Sequence, residues 1–249
     1  MPGQLLLSIP DNSTLSYYDR IAKQWHETTG YQGGSFKRHV LNDVLLEQIS
    51  AVSNNAILEL GAGNGYFMPL ALDHFSGQIP ERVVITELST RLLAIAQAEF
   101  FVETAEYHQL DVRSQYPFDD KSFDIILATM VFNEVSRGGL KRALWECWRV
   151  LRPNGRLIIT ITHPTFVQSL NQRHQLRREK NGPLTMPGAG QMRLPVVPRG
   201  VEEYGRLLEK AGFSWQATDV YPTEKVLNEK AGLRELGSKP LALVLKCWR

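Results

Sequence analysis

The chain alternates between short apolar runs and longer stretches where apolar residues recur every three or four positions. Ala56-Ile-Leu-Glu-Leu60, Arg82-Val-Val-Ile-Thr-Glu87, Ile125-Ile-Leu-Ala128, Arg156-Leu-Ile-Ile-Thr-Ile161 and Leu241-Ala-Leu-Val-Leu-Lys-Cys-Trp248 are of the first kind. Runs so short and so apolar predict buried strands. Glu106 to Val112 predicts a strand with the turn after it, and Phe213 to Val220 another strand. Helical stripes lie between them. Leu92, Ile95, Ala96 and Phe100 form one, with Ser89 placed to cap it. Ala143, Leu144, Cys147 and Trp148 form another over Leu140 to Leu151, which Pro153-Asn-Gly155 is expected to stop. Val201 to Lys210 predicts a third, closed by Ala211-Gly212. Two helices precede the first strand. One, around Ser16 to Trp25, carries Tyr17, Tyr18, Ile21, Ala22 and Trp25; the other, roughly Phe36 to Ile49, carries Val40, Val44, Leu45 and Ile49. The stretch up to Gly200 breaks this rhythm. Pro183, Pro187, Pro195 and Pro198 with several glycines predict a long irregular segment, and such loops in compact domains are usually functional.

The first apolar run ends in Glu59-Leu-Gly61-Ala-Gly63-Asn-Gly65-Tyr-Phe67. Glycines at every second position predict a strand turning sharply into a helix. Without Cβ atoms the turn lets a ligand lie against the backbone, and the helix start offers unpaired N–H groups. That much indicates a nucleotide-like cofactor. A dinucleotide site shows G-x-G-x-x-G around a pyrophosphate. Here the spacing is E-x-G-x-G-x-G, and an acid at the strand end suits a cofactor carrying ammonium and sulfonium charges. An ordinary glycine-rich turn is the bland alternative.

This motif resembles the first motif of the class I S-adenosylmethionine-dependent methyltransferases. Pro117 to Asp124 leading into Ile125-Ala128, and a helix followed by Leu151-Arg-Pro-Asn-Gly155 and a buried strand, resemble the same family, so the likeness runs from Asn55 to about Thr162. It implies an α/β, Rossmann-like, doubly wound seven-stranded sheet, mostly parallel, with an antiparallel C-terminal strand. A single domain is expected: N-terminal lid helices over 1–50, a cofactor-binding core over 51–163, a substrate cap inserted at 164–200, and a C-terminal helix and strands over 201–249. The implied cofactor is S-adenosyl-L-methionine. Glu59, Gly61, Ala62 and Gly63 would form its turn. Glu87, with Leu88, would take the ribose hydroxyls, as a doubly wound fold places a carboxylate about there. Asp111 would accept from the adenine amino group and Val112 would donate to the ring. Thr129 and Met130, with Val131, would flank the methionyl group. Tyr18 and Trp25 suit a lid over adenosine or substrate, and Arg38 a partner for the methionyl carboxylate. Each has a plain alternative: a strand-ending charge for Glu87, a turn residue for Asp111, core packing for the aromatics, a surface cation for Arg38.

The implied reaction is methyl transfer to a small-molecule acceptor by in-line displacement. His163 is the candidate base, since imidazole titrates near neutrality, though a histidine before Pro164 also suits a turn. Thr129-Met-Val-Phe132-Asn133-Glu134 stands where nucleobase amino methyltransferases commonly carry Asn/Asp-Pro-Pro-aromatic, which disfavours base N-methylation. A protein or RNA methyltransferase, or a protein that binds the cofactor without transfer, are the alternatives.

Composition agrees with a globular enzyme: 249 residues, 43% hydrophobic and 22% charged. A net charge of +2 argues against a nucleic-acid or membrane partner. No apolar stretch is long enough to cross a bilayer, and Leu5-Leu6-Leu7 lacks the features of a signal peptide. The two cysteines, Cys147 and Cys247, suggest reduced thiols in a cytoplasmic enzyme, Cys147 as packing. The six histidines show no metal-ligand spacing, so no metal is expected. The run Arg173, His174, Arg177, Arg178 and Lys180 reads as a solvated face, with an anion or RNA patch as its alternative.

Overall fold

A computed structural model describes residues 12–50, 56–74, 80–178, 184–230, 233–234 and 239–249. Leu5 to Leu7, Asn55, Lys180 and Pro183 lie outside these described residues. The strands are β1 (Ala56–Leu60), β2 (Arg82–Glu87), β3 (Ala105–Gln109), β4 (Phe123–Thr129), β5 (Leu151–Thr162), β6 (Arg177–Arg178), β7 (Leu184–Pro187), β8 (Arg193–Pro195), β9 (Ser214–Val220) and β10 (Ala242–Trp248). Seven form one sheet in the order β3-β2-β1-β4-β5-β10-β9. Strands β1 to β5 pair in parallel, and β10 runs antiparallel to both β5 and β9. This is the doubly wound sheet with an inserted antiparallel last strand that the motifs imply. Its order reverses between β1 and β4, where ligands of such sheets sit.

The helices are α1 (Asn12–Thr29), α2 (Asn42–Ser50), α3 (Phe67–His74), α4 (Thr90–Glu99), α5 (Arg137–Val150), α6 (Pro164–Gln172), α7 (Val201–Ala211) and α8 (Glu224–Glu229). A π-helical turn, Lys37–Leu41, leads into α2. All five residues of β1 are buried, and the two-residue strand period divides them. Ala56, Leu58 and Leu60 join the layer of α5 and α7 (Leu140, Leu144, Tyr204, Leu208), while Ile57 joins that of α2 and α3 (Leu45, Ile49, Phe67, Met68). Ser89 caps α4, its hydroxyl accepting from the Leu92 N–H at 3.1 Å, as the sequence indicates. Cys147 and Cys247 are buried free thiols, and burial pushes Cys147 up to about 12. Cys147 packs in the core beside Leu144 and Val150.

Two expectations need correction. The Pro153-Asn-Gly155 turn does not stop α5, which ends at Val150 and hands directly to β5. Leu151 pairs with Phe123 and Arg156 with Ile125, so Arg152–Gly155 loop out inside the strand, Asn154 taking a left-handed φ of 66°. Nor is the segment before Gly200 irregular throughout. It holds α6 and a small antiparallel sheet, β6-β7-β8, around a core of its own: Val167, Leu170, Met186 and Val196. Pro187 and Pro195 close β7 and β8 rather than prevent them, a place where a missing N–H is tolerated. The short α8 went unpredicted; Thr223 caps it, accepting from the Val226 N–H.

Candidate functional site

The parallel strands end in a crevice roofed by α1. Beneath it, Gly61, Gly63 and Gly65 have φ of 64°, 65° and 84°, conformations that disfavour side chains. Space is equally restrictive. A Cβ on Gly61 would lie 2.7 Å from Val131, one on Gly63 3.1 Å from the Trp25 indole nitrogen, and one on Gly65 2.6 Å from the Ala96 methyl. The Ala62 N–H donates to the Thr86 carbonyl at 2.9 Å, which fixes the turn to β2. Ala62 itself packs below the turn, away from the crevice lining. Glu59 is also underneath, 2% exposed, and Oε2 of its carboxyl has no partner among the described residues. Burial raises that carboxyl to about 7, Glu87 adding to the rise and Lys37 opposing it.

Glu87, at the tip of β2, accepts from the Gly63 N–H at 2.8 Å and the Ser89 N–H at 2.9 Å. Burial raises its pKa while those N–H groups pull it down. Leu88, Leu92, Leu110 and Val112 continue the wall. Asp111 lines it too, its carboxylate held by Arg113, whose Nε and a terminal nitrogen donate at 2.8 and 2.7 Å. Thr129 closes the far side, its hydroxyl buried without a partner among the described residues. Met130 follows with a left-handed φ of 63°. Tyr18 and Trp25 stack edge-to-face across the top at 5.7 Å. Helix α1 is tied there by Asp19, which accepts from the Ser89 hydroxyl at 2.6 Å and the Arg91 N–H at 3.2 Å.

Tyr18, Gly61, Gly63, Glu87, Leu88, Asp111, Val112, Thr129 and Met130 thus meet in one crevice. Arg38 and His163 do not line it. The Arg38 guanidinium points outward, 3.5 Å from Glu229. Successive helical residues differ by about 100° in direction, so Lys37 turns inward instead. Its ammonium lies 5.8 Å from the Trp25 ring and 5.2 Å from that of Tyr66. Burial lowers its pKa; the charges of Glu59 and Glu87 act the other way. His163 caps α6: Nδ1 accepts from the Thr165 N–H at 3.1 Å, and Nε2 lies 3.2 Å from Asp219. With Pro164 opening that helix, the imidazole completes a helix start, so the structure gives it a capping place rather than one facing the crevice.

A second cavity of about 450 Å³ adjoins the crevice and shares Trp25, Lys37, Met130 and Glu134 with it. Phe36, Phe166, Leu170, Met186, Met192 and Leu194 make it mostly apolar. The Tyr17 hydroxyl donates to the Arg193 carbonyl, and the Gln24 amide to that of Gly190 at 2.7 Å, so α1 clasps the small sheet. The Tyr18 hydroxyl donates to Glu134, whose carboxyl burial pushes up to about 8. Lys37 and Glu134 are the charged residues at the junction for which sequence pattern indicates no role. Lys37 is the immediate neighbour of a residue it did single out; Glu134 is an isolated acid just past an apolar strand.

Residues 58–159 match a family described as a methyltransferase domain. The chain is 30% identical over 132 residues to malonyl-[acyl-carrier protein] O-methyltransferase 1 of Coxiella burnetii, covering 52% of this chain and 42% of that protein. It is 29% identical over 149 residues to a tRNA N(3)-methylcytidine methyltransferase of Drosophila melanogaster, 55% of this chain and 46% of that one. It therefore spans less than half of either relative. The crystal structure of an S-adenosylmethionine dependent methyltransferase from Mesorhizobium loti superposes with a TM-score of 0.63 at 19% identity, over 88% of this chain and all of that one, a likeness of fold. Sheet order, glycine turn and domain match agree. Together they support a class I S-adenosylmethionine-dependent methyltransferase, with residues 58–159 as its methyltransferase domain.

Proposed function

We propose that the chain binds S-adenosylmethionine in the crevice over the glycine turn and methylates a small molecule held in the adjoining cavity. The group brings a methyl on a positively charged sulfur; the protein's part is to hold donor and acceptor in line. The residues present fit such a group. The turn leaves no space for a Cβ at Gly61 or Gly65, and the Thr129 hydroxyl, the Trp25 indole N–H and one oxygen of Glu59 are buried polar atoms awaiting partners among the described residues. Gly61, Ala62 and Gly63 shape the turn, Glu87 and Leu88 take the ribose, Asp111 and Val112 take the adenine edge, and Thr129 and Met130 flank the methionyl chain under Tyr18. Lys37 replaces Arg38 as the cation for the methionyl carboxylate, and Glu59 supplies negative charge to its ammonium from beneath the turn. Residues 1–50 serve as lid and 164–200 as substrate cap; the hydrogen bonds from Tyr17 and Gln24 to the small sheet support their acting together.

The observation that carries this reading is the shared wall: an apolar cavity of about 450 Å³, in the range of small-molecule sites, opens beside the glycine turn through Met130 and Glu134. A tRNA or carrier-protein acceptor, as in the names of two relatives, would need only a slot for one base or one arm. Incubating the protein with methyl-labelled cofactor and a cell metabolite extract, then separating products by mass spectrometry, tests the proposal. A labelled small molecule is expected. Label confined to protein or RNA, or tight cofactor binding with no transfer to any fraction, contradicts it.

A further inference from the structure

Glu134 stands where the two crevices join, on a turn that is firmly fixed. Leaving β4, the Met130 N–H donates to the Thr160 carbonyl at 2.9 Å. The Asn133 amide donates to the Met130 carbonyl at 3.1 Å and accepts from the Thr162 N–H at 3.0 Å. From the cap, the Val197 N–H donates to the Asn133 carbonyl at 2.7 Å. One Glu134 oxygen accepts from the Tyr18 hydroxyl, and no partner is found for the other among the described residues. The side chain lines both crevices. Among the described residues no cation is paired with it: Lys37, also at the junction, has Glu59 and Glu87 as its charged neighbours. An acid half-buried between two crevices without a counter-charge is costly unless something that visits the site compensates it.

We infer that Glu134, oriented by Tyr18, faces the sulfonium centre and takes the proton of the acceptor, so the cavity receives an apolar molecule whose nucleophile is an amine or hydroxyl. This rests on reading the first crevice as the S-adenosylmethionine site. The acceptor's lone pair forms the bond to the methyl carbon, the carbon–sulfur pair stays on sulfur, and the acceptor's N–H or O–H proton passes to the Glu134 carboxylate. A carboxylate acceptor needs no base and would meet a like charge there.

The titratable groups that line the two crevices with Glu134 are Tyr18 from α1, Lys37 from the π turn, Glu87 from β2, Asp111 and Arg113 just past β3, and, in the larger cavity, Arg173 after α6 and Lys230 after α8. Of these, Tyr18 and Glu87 act on its carboxyl. Burial and Glu87 hold its carboxyl up at about 8, against the pull of the Tyr18 hydrogen bond. In the free protein at about pH 7 it is therefore mostly protonated, and a cation placed beside it drives the proton off. This can be measured without an acceptor. Calorimetry of the full chain in buffers of different ionisation enthalpy compares S-adenosylmethionine with S-adenosylhomocysteine, whose sulfur is neutral. Protons exchanged at Glu59 and Lys37 answer to the amino-acid end common to both ligands and cancel in the comparison. Up to about one extra proton should be released with the sulfonium compound. Glu134→Gln, nearly isosteric, should bind S-adenosylhomocysteine within about twofold of the unaltered protein and lose the extra release. An extra release that persists in Glu134→Gln, or none in the unaltered protein, overturns the inference. If neither compound binds, the cofactor assignment falls with it. Over a panel of apolar compounds matched except for an amine, hydroxyl or carboxylate, label should enter the first two, with Glu134→Gln slower by roughly 10²–10⁴-fold in single turnover. Methylation of the carboxylates alone would also overturn it.

Discussion

The crevice over the glycine turn and the cavity beside it are made of different materials. The first has walls of main chain and strand ends: Gly61, Gly63, the tips of β2 and β4, and Asp111 just past β3. The second has walls of side chains gathered from α1, the π turn, α6 and the small sheet, with Met130, Met186 and Met192 among them. Backbone geometry is dictated locally, so the first crevice has a fixed shape. Methionines are flexible and fill irregular space, so the second can be reshaped by a few substitutions. Donor binding and acceptor choice should therefore respond separately to mutation.

Gly63→Val should break the comparison most severely. A branched residue at φ 65°, its Cβ 3.1 Å from the Trp25 indole, distorts the turn and fills the donor crevice. Cofactor affinity by calorimetry should fall by roughly a hundredfold or more while the far-ultraviolet spectrum stays that of a folded protein. Ala189→Trp approaches from the other side, since Ala189 lines only the larger cavity. Cofactor affinity should stay within about twofold, while kcat/KM for the acceptor should drop about tenfold or more.

A pH experiment sharpens the contrast beneath the turn. Burial raises the Glu59 carboxyl to about 7, above its ordinary range. The stability tied to that shift is complete below the ordinary carboxyl pKa and is lost as pH rises through about 7. Glu59→Gln escapes this loss. Its melting temperature relative to the unaltered protein should rise by a few degrees between about pH 5 and pH 8. A constant difference across that range would mean that Glu59 is not the titrating group. The smallest effect belongs to Arg38→Ala, which removes an exposed partner of Glu229 and should change cofactor affinity less than about twofold. Lys37→Met should weaken it by about 1.5–3 kcal/mol. A larger effect at Arg38 than at Lys37 would restore the original assignment.

The contrast also explains what the sequence disclosed. Strand ends and glycines are local, so the main sheet and the gathering of Gly61, Glu87, Asp111 and Thr129 at one edge were legible before any coordinates. What depends on tertiary packing was not. Whether residue 37 or 38 turns inward depends on helix phase through a π turn, which periodicity does not resolve. His163 fitted a catalytic expectation by residue type, yet Pro164 and Asp219 make it a cap. Glu134 gained meaning only when Tyr18, 116 positions away, was found against it. The small sheet hid behind its prolines because two- to four-residue strands leave little alternation to detect.

The position of β10 has a consequence for synthesis in the cell. It fills the gap between β5 and β9, yet emerges some eighty residues after β5. At about 5–20 residues per second, the edge of β5 that carries Leu157, Ile159 and Ile161 waits roughly 4–16 s for its partner on the ribosome. An unpaired apolar edge is a template for aggregation. Translation that stalls in this interval should produce the chain's most chaperone-dependent form.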